Sequence, residues 1–313
     1  SHKTWTSSCP CSVRSPSGET SVDLRTLIDH IDALKAEIDT LRPIDAEQEA
    51  RVRQMLRIDW NYHSNAIEGN TLTLGETRAF LLHGITAQGK PFRDYLDIKG
   101  HNEAIAYLEQ MVRGEEPLTE VVIRELHRIL LVEPYEADAV TPDGRPTRRR
   151  IAIGQYKTAP NHLHTSTGEI HYYATPEETP AQMGDLMAWY RRERESGALH
   201  PLLLAATFHY RFVAIHPFDD GNGRMARLLM NLILMQHGFT PIVIRLESRG
   251  DYLLALETAD AGDLTDLATL GGEALLRSLE LYLKAARHEG LEEPGAFERQ
   301  VLRLREQLAR YDA

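Results

Sequence analysis

Residues 215–223, IHPFDDGNG, force a sharp turn, because no helix can run through them. Pro217 has no backbone N–H and drives His216 out of helical geometry. Gly221, Asn222 and Gly223 accept backbone angles that other residues resist. Segments on either side, 199–214 and 224–237, are apolar at helical spacing. The chain is therefore committed to two helices joined by a tight polar turn. Successive N–H groups in such a turn can form an anion-binding nest. The start of the following helix adds free N–H donors and a positive dipole end, which suits phosphate. Arg224 and Arg227 share one face of that helix, and their planar forks match phosphate oxygens. Asp220 is a carboxylate at the mouth of the turn, a pattern that holds Mg²⁺ against phosphates. His216, with an ordinary pKa of about 6.5, is a usable base beside them.

The same helical periodicity runs through most of the 313 residues. Leu24, Leu27, Ile28, Ile31, Leu34, Ile38 and Leu41 make one apolar stripe, stopped by Pro43. A second helix is predicted from Ile44 to about Glu68, ended by Gly69 and Asn70. Thr73 with Glu76 reads as a capping box opening a third. Further helices are expected at 98–112, 119–131, 178–195, 272–288 and 295–310. Residues 135–177 differ, being rich in Pro, Gly, Thr and His. A β-hairpin is predicted there, pairing 150–153 with 170–173. The resulting fold class is all-α, a helical bundle with an inserted β-hairpin flap.

Composition excludes more than it identifies. A net charge of −11 argues against a nucleic-acid binder. Cys9 and Cys11 are the only cysteines, too few for a disulfide framework or a four-ligand zinc site. With no apolar run of membrane-spanning length and no signal-peptide pattern, a cytoplasmic, membrane-free protein is expected. The segment 84–90, GITAQGK, imitates a P-loop, but Pro91 stands where a metal-binding hydroxyl is required. It reads as a turn between helices. His162, His164 and His171 read as a solvated hairpin rather than a metal site.

The segment 216–227 resembles the Fic signature, H-x-F-x-[D/E]-G-N-G-R-x-x-R, without a mismatch. That resemblance implies a protein adenylyltransferase using ATP and Mg²⁺. His216 would deprotonate a Tyr, Thr or Ser hydroxyl of a target protein, and Asp220 would hold the metal bridging the α- and β-phosphates. Gly221, Asn222 and Gly223 would cradle the phosphates, with Arg224 and Arg227 at the β/γ end. Residues 64–69, SNAIEG, look like the family's inhibitory motif. Ser64 and Glu68 would then belong to an inhibitory helix, with Glu68 pairing with Arg227 and blocking the γ-phosphate. The hairpin resembles the flap that aligns a target segment, with Ile153, Gly154, Gln155 and Tyr156 lining the nucleotide. Residues 125–128, ELHR, also look family-like. Tyr252 would flank the adenine near Asp260, although Leu253 and Asp260 depart from the commonest pattern. Family members of this arrangement often form homodimers. The implied organisation is a tag or disordered N-terminus at 1–21, a helical region with the inhibitory helix at 22–95, the Fic core at 96–262 and a helical extension at 263–313. Readings that keep the fold but use another nucleotide donor, remove AMP, or serve as an idle interaction module stay open.

Overall fold

The computed structural model describes residues 23–140, 145–161, 163–164 and 170–289. Cys9 and Cys11, His162 and the helix expected at 295–310 lie outside the described residues.

The architecture is helical, with α8 (Asn222–Gln236) at its centre. Every residue from Arg224 to Leu234 is buried. Such a helix must be wrapped on all sides, since an apolar stripe of ordinary width would leave one face in water. The wrapping comes from α7 (Pro201–Ile215), α4 (Phe92–Arg113), α2 (Ala46–Ile67) and α5 (Glu120–Leu131). Asn231 is buried within α8 and exchanges two hydrogen bonds with the backbone of Ile242, so the core holds no orphaned amide there.

Around this centre, α1 (Leu24–Thr40) lies along α10 (Thr265–Ala286), and α6 (Thr179–Ser196) lies along α7. The apolar stripe of α1 buries Leu27, Ile31 and Ile38. Asp45 caps α2 by accepting from Glu47 and Gln48. The predicted capping box opens α3 (Leu74–His83), and Gly84 ends it in a left-handed conformation. The P-loop imitation is therefore the exit of a helix, without the preceding strand that a phosphate loop needs. α4 and α10 begin earlier than expected, and α9 (Arg249–Asp260) adds a helix that periodicity did not reveal.

The hairpin pairing needs correction. Residues 150–151 do not pair with 170–173. Strand β1 (Tyr135–Val140) pairs antiparallel with β2 (Pro146–Ile151), in the register Tyr135↔Ile151 and Val140↔Pro146. Strands β3 (Leu163–His164) and β4 (Ile170–His171) form a separate short ladder. Thr141-Pro-Asp-Gly144 is the turn signal that outweighs the polar stretch at 160–168.

One close approach fixes the helices that carry the site. A Cβ added at Gly100 of α4 would lie 2.2 Å from the carbonyl oxygen of Leu130 on α5. This crossing brings α4, with Arg93 and Asp97, against α5, with His127. Gly100→Ala is expected to destabilise the protein by about 1–3 kcal/mol through overpacking. Urea unfolding measures it, and a loss under about 0.5 kcal/mol, typical of surface changes, would mean that the crossing has room to relax.

Candidate active site

The turn between α7 and α8 is held by its own side chains. His216 caps α7 in the left-handed region, with φ 53° and ψ 58°. Gly221, at φ 79°, starts α8. The helix thus begins at Asn222, two residues before the expected start. Asn222 accepts from Phe218 N at 2.9 Å and donates to Phe218 O at 2.8 Å. Its side chain braces the turn, leaving its backbone N–H to face a ligand alongside those of Gly223 and Arg224. The first N–H that returns to the turn is that of Met225, which donates to Gly221 O.

The imidazole of His216 lies between the turn and Tyr173, whose ring stacks on it at 3.9 Å. Its Nδ1 faces the carbonyl of Val213 at 3.3 Å. A carbonyl only accepts, so the Nδ1 carries the proton and Nε2 keeps a free lone pair. Burial and, next, the charge of Lys157 push its pKa down to about 4, against the opposing pulls of Val213 O, Glu68 and Asp220. The ring is neutral at pH 7 and able to accept a proton through Nε2.

Asp220 is poised as an anion. Its Oδ1 accepts from Gly221 N at 2.6 Å, and its Oδ2 accepts from the hydroxyl of Tyr135 on β1. Burial raises its pKa, but Arg224, the Tyr135 hydroxyl and the Gly221 N–H outweigh that and hold it below the usual carboxylate range. A single ionised carboxylate fits Mg²⁺, which keeps water and phosphate oxygens as its other ligands. Arg224 and Arg93 beside it disfavour a bare divalent cation, so the donor set fits a metal that arrives on a polyphosphate. Arg224 is itself bound to Asp97 at 2.9 Å and lies 3.5 Å from Asp220.

Arg227 is enclosed by the end of α2. Its Nε donates to Ser64 Oγ at 3.0 Å, its Nη2 to Ser64 O at 2.8 Å, and the same Nη2 meets Glu68 Oε1 at 2.6 Å. The Glu68 carboxylate also approaches the first turn of α8, since a Cβ built on Gly223 would fall 2.2 Å from Glu68 Oε1. A carboxylate of the protein itself thus lies close to a helix start, where an anion is favoured.

The remaining expected residues are arranged differently from one another. Tyr252 is buried, with its hydroxyl bound to Arg227 at 3.4 Å and to His209 at 3.0 Å. Asp260 accepts from Tyr210 at 3.1 Å at the end of α9. Ile153 to Tyr156 follow the hairpin instead of forming its second strand. Gly154 N donates to His127 Nδ1 at 2.8 Å, Gln155 is exposed, and Tyr156 directs its hydroxyl to Glu120 at 2.8 Å on α5. His127, stacked on Phe218 at 3.8 Å, also meets Asp220 O at 3.0 Å, so it ties this segment to the turn. Sequence reasoning missed Tyr135, Lys157, Asn161 and Tyr173. His127 was noticed only as part of a family-like run. Among these, the one available signal was a lysine and an asparagine beside an apolar tyrosine, too common a pattern to single out.

Burial holds His127 and His216 at about 4 and His209 at about 3. Each binds a proton in the unfolded chain below about pH 6.5 and not in the folded one until much lower. Stability is therefore present above pH 6.5 and falls as acid is added, at about 4 kcal/mol per pH unit for three such groups between roughly 6 and 4. Thermal melts should drop steeply from pH 7 to 5. A melting temperature that holds across that interval would mean that these rings are charged or solvated in the folded protein.

The Fic/DOC family model matches residues 117–234. Protein adenylyltransferase Fic of Nematostella vectensis is 35% identical over 223 residues, which cover 71% of this chain and 48% of that protein. Protein adenylyltransferase fic-1 of Caenorhabditis elegans is 33% identical over 228 residues, covering 72% and 41%. The chain spans about half the length of the curated relatives it matches, or less. A solved Fic domain containing signaling protein from Bacteroides thetaiotaomicron superposes with a TM-score of 0.75 at 39% identity, covering 84% of this chain and 99% of that one. A fragment of Fic-1 from C. elegans gives a TM-score of 0.69 at 28% identity, covering 85% and 74%. With an unbroken signature seated on the same helical frame, this chain belongs to the Fic/DOC family.

Proposed function

We propose that the protein is an adenylyltransferase that moves AMP from ATP to a hydroxyl side chain of another protein, and that Glu68 restrains it. One observation carries the reading: a neutral imidazole with a free Nε2 sits beside a helix N-terminus built to take an anion. The names of the relatives support the same activity. The polyphosphate of ATP would lie on the N–H groups of Asn222, Gly223 and Arg224, with its far end towards Arg227. His216 Nε2 takes the proton of the target hydroxyl. That oxygen bonds to the α-phosphorus, the bond from phosphorus to the bridging oxygen breaks, and pyrophosphate leaves. Asp220 would hold Mg²⁺ there, and the metal would supply charge neutralisation across the phosphates. The fixed N–H donors need no reorganisation as charge shifts, and proton removal contributes about 10²–10⁴-fold.

Restraint follows from charge. Glu68 and the end of a triphosphate are both anions seeking the α8 N-terminus and Arg227. While Glu68 holds Arg227 and lies against Gly223, the nucleotide would not settle in line with the hydroxyl. Among the described residues no helix is long and apolar enough to cross a membrane, and the cytoplasmic setting is proposed from the sequence reading alone. Its target protein would meet the hairpin of β1 and β2 through strand addition, and a homodimer is compatible with that arrangement.

Transfer of label from α-labelled ATP, to the protein itself or to lysate proteins, tests the reading. Glu68→Gly should raise labelling by about tenfold or more, since restoring productive phosphate binding is worth at least one such factor. In that background His216→Ala should lower labelling by about 10²–10⁴-fold while ATP still binds. Asp220→Ala should remove the response to added Mg²⁺. Normal labelling by the His216 variant would discard the base assignment, and an unchanged rate in Glu68→Gly would discard the restraint.

A further inference from the structure

Four consecutive backbone carbonyls of the turn, from Ile215 to Phe218, accept hydrogen bonds from one short segment outside the signature. Lys157 Nζ donates to Ile215 O at 3.1 Å, and the Lys157 backbone N–H donates to Pro217 O at 2.8 Å. Asn161 Nδ2 donates to His216 O at 3.2 Å and to Phe218 O at 2.8 Å. The two side chains are joined as well, with Lys157 Nζ donating to Asn161 Oδ1 at 2.8 Å. The amide of Asn161 thereby uses both of its N–H donors and its oxygen in one interaction set. Lys157 is 2% exposed, so its ammonium has given up water for carbonyl and amide oxygens. Its Nζ also lies 6.0 Å from the ring of Tyr173, which covers the opposite side of the imidazole from the turn.

Nothing in the chemistry of proton transfer or phosphate binding calls for this pair. What the pair touches is the backbone on both sides of His216, a residue held in a left-handed conformation that a side chain adopts only under constraint. We propose that Lys157 and Asn161 are positioning residues for the transfer reaction: they clamp the turn so that the imidazole is fixed at the reacting hydroxyl. The clamp acts through His216 and touches neither nucleotide nor target. It rests on the reading of His216 as the base.

The titratable neighbours matter for the test. Lys157 faces Asp219 and Arg149 on the turn and hairpin side, and Glu178 at the start of α6. His216 faces Lys157, Glu68 and Asp220. Two readouts separate clamping from simple loss of structure. In the Glu68→Gly background, labelling at varied ATP should show Lys157→Met and Asn161→Leu each lowering the maximal rate by about ten- to a hundredfold, the scale of a small misplacement. The ATP concentration for half-maximal rate should move by less than about threefold, because nucleotide contacts remain. The double variant should lose little more than the worse single, since both remove one shared clamp. The second readout is the imidazole of His216 followed by nitrogen NMR at neutral pH, where the Nδ1–H tautomer set by Val213 O should give way to a mixture of tautomers in Asn161→Leu as the turn loosens.

Maximal rates equal to the parent, or losses matched by an equal weakening for ATP, would overturn the clamp. If Lys157→Met does not fold, as its melting curve would tell, the partly exposed Asn161 decides through its own variant. A Glu68→Gly parent that transfers no label sinks the adenylyl-transfer reading. The NMR readout then still judges the clamp, and an unchanged tautomer in Asn161→Leu overturns it.

Discussion

The left-handed backbone at His216 is the constraint around which this structure is arranged. A residue with a side chain pays about 1–2 kcal/mol to adopt it, so neighbouring contacts must make every alternative worse. Three sets of contacts do so. Phe212 O accepts the His216 N–H and closes α7, Asn222 grips Phe218 from the start of α8, and Lys157 with Asn161 holds the carbonyls from outside. Because α7 and α8 pack against each other in the core, the turn cannot relax without moving both helices. The imidazole consequently inherits the rigidity of the core although it belongs to a loop.

Much of this was legible in the sequence, for a physical reason. The turn is local: Pro217, Gly221 and Asn222 act on backbone angles within a few residues, so their effect can be read without knowing the fold. The stripe of α1 and the Thr73–Glu76 box are local in the same sense. The hairpin was not, since the sequence reading paired 150–153 with 170–173, whereas 146–151 pairs back to 135–140. The residues that steady the site were hidden for a stronger reason. Asp97 reaches Arg224 from more than a hundred positions away, and Tyr135 reaches Asp220 from eighty-five. No periodicity or spacing encodes such contacts. The burial of Tyr252 was equally invisible, because it follows from how α9 closes over α7 and not from any property of its own segment.

The balance of charge beneath the turn is what would let the proposed site be both ready and restrained. Arg227 and Arg224 are buried, and a buried guanidinium requires anionic or carbonyl partners. Arg224 has Asp97 and Asp220. Arg227 has Ser64 and Glu68, and Glu68 also lies close to Gly223 in the first turn of α8. These two demands, a helix start seeking an anion and a buried arginine seeking a carboxylate, are met by one side chain on a neighbouring helix. The arrangement gives both groups an anionic neighbour within the protein. It is also replaceable, because a phosphate group carries more charge and more acceptor oxygens than the carboxylate it would displace. The difference between the two anions is what nucleotide binding can draw upon to move the end of α2. Under the proposed restraint, whatever shifts that end would act on the reaction through Arg227.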